Sequence, residues 1–201
     1  YIDNHGDNVF VDAGADNDSI ANAGSFSTLN GGEGNDSINN WGANATINGG
    51  AGNDYIRSWG YYSTISGGAG NDIISLSGAN NLVQYANGDG NDTIYGLTSI
   101  DTLHITSGSI SNATVSGNDV ILYIGGNTIT LKYMEDKSFN LKVGDSAAQD
   151  TIVHNYNIVG TADADSIHNM LGGATISALN GDDYIDNHGD NVFVDAGADN
   201  D

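Results

Sequence analysis

Cysteine and proline are both absent from this 201-residue chain, and lysine and arginine together number four against 26 acidic residues. Without cysteine there is neither a disulfide framework nor a thiolate metal site. The formal net charge of −22 repels phosphate backbones and anionic headgroups, which argues against nucleic acid and anionic membrane surfaces as partners. No apolar run approaches the length that spans a bilayer, so no membrane insertion is expected. The metalloprotease pattern HExxH and the hydrolase pattern GxSxG are missing, and the five histidines are scattered, so no catalytic residue is assigned. High acidity with few aromatics is one signature of disorder. Here it is countered by Ile, Val and Leu recurring on a strict beat. With no initiator methionine and no signal peptide, the chain reads as an excised piece of something longer.

What is abundant is glycine, and it falls in register. Rows of 18 residues read YIDNHGDNVFVDAGADND, SIANAGSFSTLNGGEGND, SINNWGANATINGGAGND and YIRSWGYYSTISGGAGND over residues 1–72, followed by a 20-residue row to Asp92. The beat returns in SIHNMLGGATISALNGDD and YIDNHGDNVFVDAGADND over residues 166–201. Asp closes each row, at Asp18, Asp36, Asp54, Asp72, Asp92, Asp183 and Asp201, with Asp165 opening the second array. Two residues later stands Ile: Ile20, Ile38, Ile56, Ile74, Ile94, Ile167 and Ile185. A second apolar column sits nine residues on, at Val11, Leu29, Ile47, Ile65, Val83, Ile176 and Val194. Half a row is too short for a helix and a return, but it accommodates three strand residues and a six-residue turn. One coil cannot bury its two inward residues alone, so neighbours must stack. The expected fold is all-β: a parallel β-roll, or β-solenoid, of 18-residue coils.

The turns carry the chemistry. Residues 31–36, 49–54 and 67–72 read Gly-Gly-x-Gly-Asn-Asp. Glycine permits positive φ, which lets carbonyls aim at one point, and the closing Asp adds a carboxylate. Coils stack about 4.8 Å apart, so the aspartates form a column of like charge. Neighbours at that spacing repel by ~1 kcal/mol in water and several-fold more where the dielectric is low. The column calls for a cation. An all-oxygen, flexible donor set without Cys or His selects calcium over zinc, and magnesium would keep its waters.

The pattern Gly-Gly-x-Gly-x-Asp-x-apolar-x resembles the RTX, or haemolysin-type, calcium-binding repeat, most closely in coils 2 to 4. The resemblance implies several Ca2+ ions, each between turns of adjacent coils and held by glycine-turn carbonyls and both closing aspartates. Carried onto this sequence, the ligand residues are Gly31, Gly32, Gly34 and Asp36; Gly49, Gly50, Gly52 and Asp54; Gly67, Gly68, Gly70 and Asp72; Gly88, Gly90 and Asp92. Asp18, Asp165, Asp183 and Asp201 complete six inter-turn positions: 18/36, 36/54, 54/72, 72/92, 165/183 and 183/201. Asp16, Asp163 and Asp199 replace the last glycine, and Ala178-Leu179 replace the first pair, so weaker sites are expected there.

The opposite turns keep a glycine (Gly6, Gly24, Gly42, Gly60, Gly78) without a recurrent Asp, so the calcium column is expected on one edge only. Asn4, Asn22, Asn40, Asn169 and Asn187 share a column suited to a side-chain ladder. Trp41, Trp59, Tyr61 and Tyr62 cluster on this edge; they read either as aromatics flattened on neighbouring coils or as a lateral-contact or glycan-binding strip. The aligned Thr28, Thr46 and Thr64 make too small a face for an ice-binding surface.

After Thr93 the beat stops. Residues 99–143 alternate β-formers with turn signals, among them Ser116-Gly117-Asn118 and Gly125-Gly126-Asn127 at hairpin spacing. The stretch SGNDVILYIGGNTITLKY resembles the β-rich segment that commonly follows RTX arrays, and predicts a small antiparallel sheet interrupting and capping the roll. The expected division is a calcium-binding roll over 1–94, an antiparallel cap or spacer over 95–150 with a linker around 144–158, and the start of the next roll over 151–201.

Residues 184–201 are identical to residues 1–18, which reads as one period of a longer 183-residue repeat plus one coil. An engineered duplication is the alternative. The leading functional expectation is a structural, calcium-dependent module of a long tandem-repeat extracellular fibre or surface adhesin. The alternative is the calcium-binding tail of a secreted RTX enzyme or toxin whose active domain lies outside this chain.

Overall fold

The computed structural model describes residues 1–134, 139–144, 157–159, 164–169, 175–189 and 192–200. Each of the first five coils supplies two strands. These are β1 (Ile2–Asn4) with β2 (Phe10–Asp12), β3 (Ser19–Asn22) with β4 (Thr28–Glu33), and β5 (Ser37–Asn40) with β6 (Thr46–Ala51). They continue with β7 (Tyr55–Ser58) and β8 (Thr64–Ala69), then β9 (Ile73–Leu76) and β10 (Leu82–Tyr85). First strands pair in parallel with first strands and second with second, giving the two walls of a β-roll. Registers such as Ile20↔Ile38, Ile38↔Ile56 and Leu29↔Ile47 show one apolar residue stacked on its counterpart a row away.

The core is those two columns facing each other. Ile20, Ile38, Ile56, Ile74 and Ile94 on one wall, and Leu29, Ile47, Ile65, Val83 and Leu103 on the other, are buried. Burying one such side chain contributes about 1.5–3 kcal/mol, well short of the ~1–2 kcal/mol per residue needed to order a coil. The deficit explains why the unit is the stack. The second strands β4, β6 and β8 run to six residues, because pairing continues through the glycines: Gly32↔Gly50 and Gly50↔Gly68 are ladder partners. With no side chain in the way, the sheet extends into the turn.

The segment after Thr93 is built onto the roll. β11 (Asp92–Tyr95) and β12 (Thr102–Ile105) form another coil. Then β13 (Ile110–Ser116), β14 (Asp119–Ile124) and β15 (Asn127–Lys132) make an antiparallel meander through two-residue turns at Gly117-Asn118 and Gly125-Gly126. β15 also pairs in parallel with β11, and β16 (Asn140–Val143) with β12. The expected antiparallel sheet is therefore β13–β15, while β12, β15 and β16 prolong the two walls. The reason lies in the pattern: Leu131 and Leu141 repeat the inward positions of Ile94 and Leu103.

Farther along, β17 (Asn157–Val159), β19 (Thr175–Ser177) and β21 (Phe193–Asp195) form one parallel sheet. β18 (Ser166–Asn169) and β20 (Tyr184–Asn187) form another. Registers Ile167↔Ile185 and Ile176↔Val194 reproduce those of the first roll.

Candidate metal centre

The closing aspartates stand in a hydrogen-bonded ladder along one edge. Asp18 N–H donates to Asp36 Oδ1 (2.7 Å), Asp36 N–H to Asp54 Oδ1 (2.8 Å), Asp54 N–H to Asp72 Oδ1 (2.7 Å) and Asp72 N–H to Asp92 Oδ1 (2.9 Å). The second array repeats the step, with Asp165 N–H on Asp183 Oδ1 at 2.8 Å. Asp201 and Asp163 lie outside the described residues. Asp36, Asp54 and Asp72 are 2%, 2% and 1% exposed, so these carboxylates face inward.

In each of them one oxygen is fixed and the other is not. Oδ2 of Asp36, Asp54 and Asp72 is buried without a hydrogen-bond partner. A buried anionic oxygen lacking a donor is costly. Burial raises the pKa of Asp54, and pushes Asp72 up to about 6 and Asp92 up to about 8. The neighbouring carboxylates of the column add to that rise, against the backbone hydrogen bond that lowers it. Arg57, the one Lys or Arg side chain before Lys132, lies over the Tyr55 ring, and among the described residues no ion pair joins it to the column.

Glycine encloses the free oxygen. A Cβ on Gly49 would overlap both Asp54 Oδ2 and the Gly67 carbonyl oxygen, and one on Gly31 would overlap Asp36 Oδ2 and the Gly49 carbonyl oxygen. The first glycine of these two turns thus brings a main-chain carbonyl of the next coil beside the carboxylate, and Gly67 leaves room for Asp72 Oδ2 in the same way. Gly32, Gly50 and Gly68 take positive φ, as do Gly34, Gly52 and Gly70. Among the described residues no three carboxylate or imidazole side chains converge. A cation on this edge would draw most of its oxygens from the main chain. Such a donor set suits a hard, flexible, oxygen-seeking ion.

Comparison with known proteins decides the family of these turns. The model of the RTX calcium-binding nonapeptide repeat matches in four copies, over residues 22–56, 42–60, 61–83 and 87–104. The chain carries RTX calcium-binding repeats. No curated protein matches the sequence. Among solved structures, the extracellular lipase LipA from Serratia marcescens is similar at 17% identity and a TM-score of 0.34. The alignment covers 71% of this chain and 37% of the lipase, so this chain spans little more than a third of that protein's length.

Outside the coils 2–4 motif the RTX pattern is altered. Asp16 and Asp199 do hold the positive φ of the glycine they replace, as does Leu179. Gly88 and Gly90 keep positive φ in the fifth coil. One residue past the pair Gln84↔Ser66, however, Tyr85 stands where Gly67 stands in the coil before. Tyr85 is buried and its hydroxyl donates to the Gly90 carbonyl (2.6 Å), filling the turn that two extra residues widen. Asp92 in turn is paired in register with Ile129, so the aspartate column ends there on an aliphatic side chain.

Several supporting residues escaped the sequence reading. Asn35, Asn53, Asn71 and Asn91 N–H groups donate to Oδ1 of Asn17, Asn35, Asn53 and Asn71 at 2.6–2.8 Å. This second ladder runs opposite in sense to that of the aspartates; its signal was the Asn preceding the closing Asp in each of the first five rows. Asp101 is fully buried and accepts from Asn81 N–H (2.8 Å), Thr98 N–H (3.1 Å) and Thr98 Oγ1 (2.6 Å). Its signal was Asp101-Thr102-Leu103, which repeats Asp92-Thr93-Ile94 nine residues later. The expected asparagine ladder of the opposite edge is present: Asn4 Nδ2 donates to Asn22 Oδ1 (2.6 Å) and Asn22 Nδ2 to Asn40 Oδ1 (2.7 Å).

Proposed function

We propose that this chain is a structural module of a long tandem-repeat extracellular fibre or surface adhesin, folded and stiffened by calcium. The observation that carries the calcium dependence is the buried Oδ2 row of Asp36, Asp54 and Asp72, enclosed by glycine carbonyls and without a counter-charge. Without an ion, each added coil must bury another uncompensated carboxylate. With one, the same carboxylates become ligands, and metal-binding energy becomes folding energy. The proposed ligands are the closing aspartates, from Asp18 to Asp92 and again at Asp165, Asp183 and Asp201, with carbonyls of the intervening glycine turns.

Calcium is scarce inside cells and millimolar outside, a range that extracellular calcium modules exploit. Folding would then wait for export, which places the module in the secreted or cell-surface compartment. The identity of residues 1–18 and 184–201 supports a 183-residue unit divided into a roll (1–94), a cap or spacer built onto its last coil (95–150) and the next roll (151–201). The second reading is a calcium-binding tail of a secreted RTX enzyme or toxin whose active domain lies outside this chain.

The flanking reading frame separates the two. Further copies of the 183-residue unit are expected. A single unit beside a domain carrying HExxH or GxSxG would overturn the fibre reading in favour of the enzyme tail.

A further inference from the structure

The carboxylates of residues 19–92 are confined to one edge. Glu33, Asp36, Asp54, Asp72, Asp89 and Asp92 all belong to the glycine turns, and the opposite turns at 23–27, 41–45, 59–63 and 77–81 hold none. In a chain of net charge −22, this makes the far edge of coils 2 to 5 the neutral approach, with Asp7 of the first coil at its end. It is also aromatic. Phe26, Trp41, Tyr61 and Tyr62 are 61%, 52%, 55% and 62% exposed, and Trp41 stacks face to face on Trp59 with ring centroids 4.9 Å apart. Trp41 thus lies against the neighbouring coil through Trp59, while Phe26, Tyr61 and Tyr62 stand largely exposed.

Two of them occupy costly backbone. Phe26 and Tyr62 have φ of 56° and 58°, in the column where Asn8, Asn44 and Asn80 take the same left-handed conformation. Asparagine is at ease there and an aromatic residue is not. Both rings are more than half exposed from that conformation.

We propose that this edge is a lateral self-association surface: two copies of the chain pair aromatic edge to aromatic edge, with their calcium edges outermost. Charge favours the second copy as occupant, because over residues 19–92 this is the apolar face on which two such acidic molecules meet without opposing carboxylates, Asp7 of the first coil excepted. The area sets the strength. Four rings that bury about 150–250 Å2 each when covered, and that are more than half exposed, offer roughly 400–500 Å2 per copy, about half of a standard interface. A single module should therefore pair weakly, and tandem modules should pair by avidity. The pairing concerns one module, so its failure leaves both the calcium and tandem readings standing.

The test uses residues the neighbouring coils already carry. In the variant Phe26→Asn, Trp41→Ala, Tyr61→Ala and Tyr62→Asn, each new residue copies the same column one coil away: Asn44, Ala23, Ala43 and Asn80. Sedimentation equilibrium of the full chain in calcium should show a mass rising toward the dimer with concentration, and the variant should lower the association constant at least tenfold. The calcium transition in circular dichroism should be unchanged. If the fourfold variant loses that transition, Tyr61→Ala with Tyr62→Asn carries the test alone. A wild-type chain that stays monomeric, or a variant that associates equally well, overturns the proposal. So does a monomeric chain captured on a neutral glycan array through these rings, which would give the edge to a carbohydrate.

Discussion

At the scale of single residues, the closing aspartate does two separable things. Its Oδ1 accepts the main-chain N–H of the previous row, and its Oδ2 carries charge into a buried place. Asp54→Asn keeps an acceptor for Asp36 N–H and removes the charge. It is expected to leave metal-free stability unchanged or higher while weakening calcium binding at least tenfold by isothermal titration. Asp54→Ala also orphans the N–H, and should cost a further ~1–3 kcal/mol in chelator as well as in calcium. Glycines divide in the same way. Gly49→Ala meets a carbonyl and a carboxylate and should cost about 3 kcal/mol. Gly88→Ala has open space and only its φ of 101° to strain, so about 1–2 kcal/mol is expected; thermal melts compare the two. Protons compete for the same oxygens. Asp72 and Asp92 sit at about 6 and about 8, above the ordinary 3.8, so the folded chain binds more protons than the unfolded one across that window. Metal-free stability is then greatest on the acid side and is lost as pH rises through 6 and 8. In calcium the order reverses, since deprotonated carboxylates bind the ion. Melts at about pH 5 and about pH 8.5, with calcium and with chelator, should show the crossing.

At the scale of elements, a strand here is an inward residue, its neighbours and a place in a stack. Ile56 pairs with Ile38 and Ile74 and is fully buried, so Ile56→Ala should cost about 2–5 kcal/mol. In hydrogen exchange the loss should centre on β5, β7 and β9, because each coil contacts its neighbours alone. The strand columns were legible in the sequence because period and burial coincide: every row puts Ile two residues after Asp. The asparagine ladder of the opposite edge was legible for the same reason. The continuation of the roll past Thr93 was not. Leu131 and Leu141 stack on Ile94 and Leu103, but the meander of β13 and β14 separates them in the chain. A spacing rule reads consecutive rows, and pairing across an insertion is decided by the sheet edge left open. Asp101 and Tyr85 were hidden differently. Each is a local departure from the repeat whose meaning depends on a turn two residues longer than its neighbours.

At the scale of the whole molecule, residues 19–92 sort their carboxylates to one edge and their most exposed aromatics to the other, with an apolar column between. Stability is a sum over stacked coils, so an uncompensated carboxylate in each interior coil weighs on all of them together. On the proposed reading that arrangement makes calcium a condition of folding, and predicts a cooperative transition. Circular dichroism of this chain during calcium titration is the most direct test. At about pH 8.5, where the metal-free chain is least stable, it should lack its strand signal in excess chelator and gain it steeply as calcium approaches millimolar concentration. A chain already fully folded in chelator, with no change on adding calcium, would contradict the account.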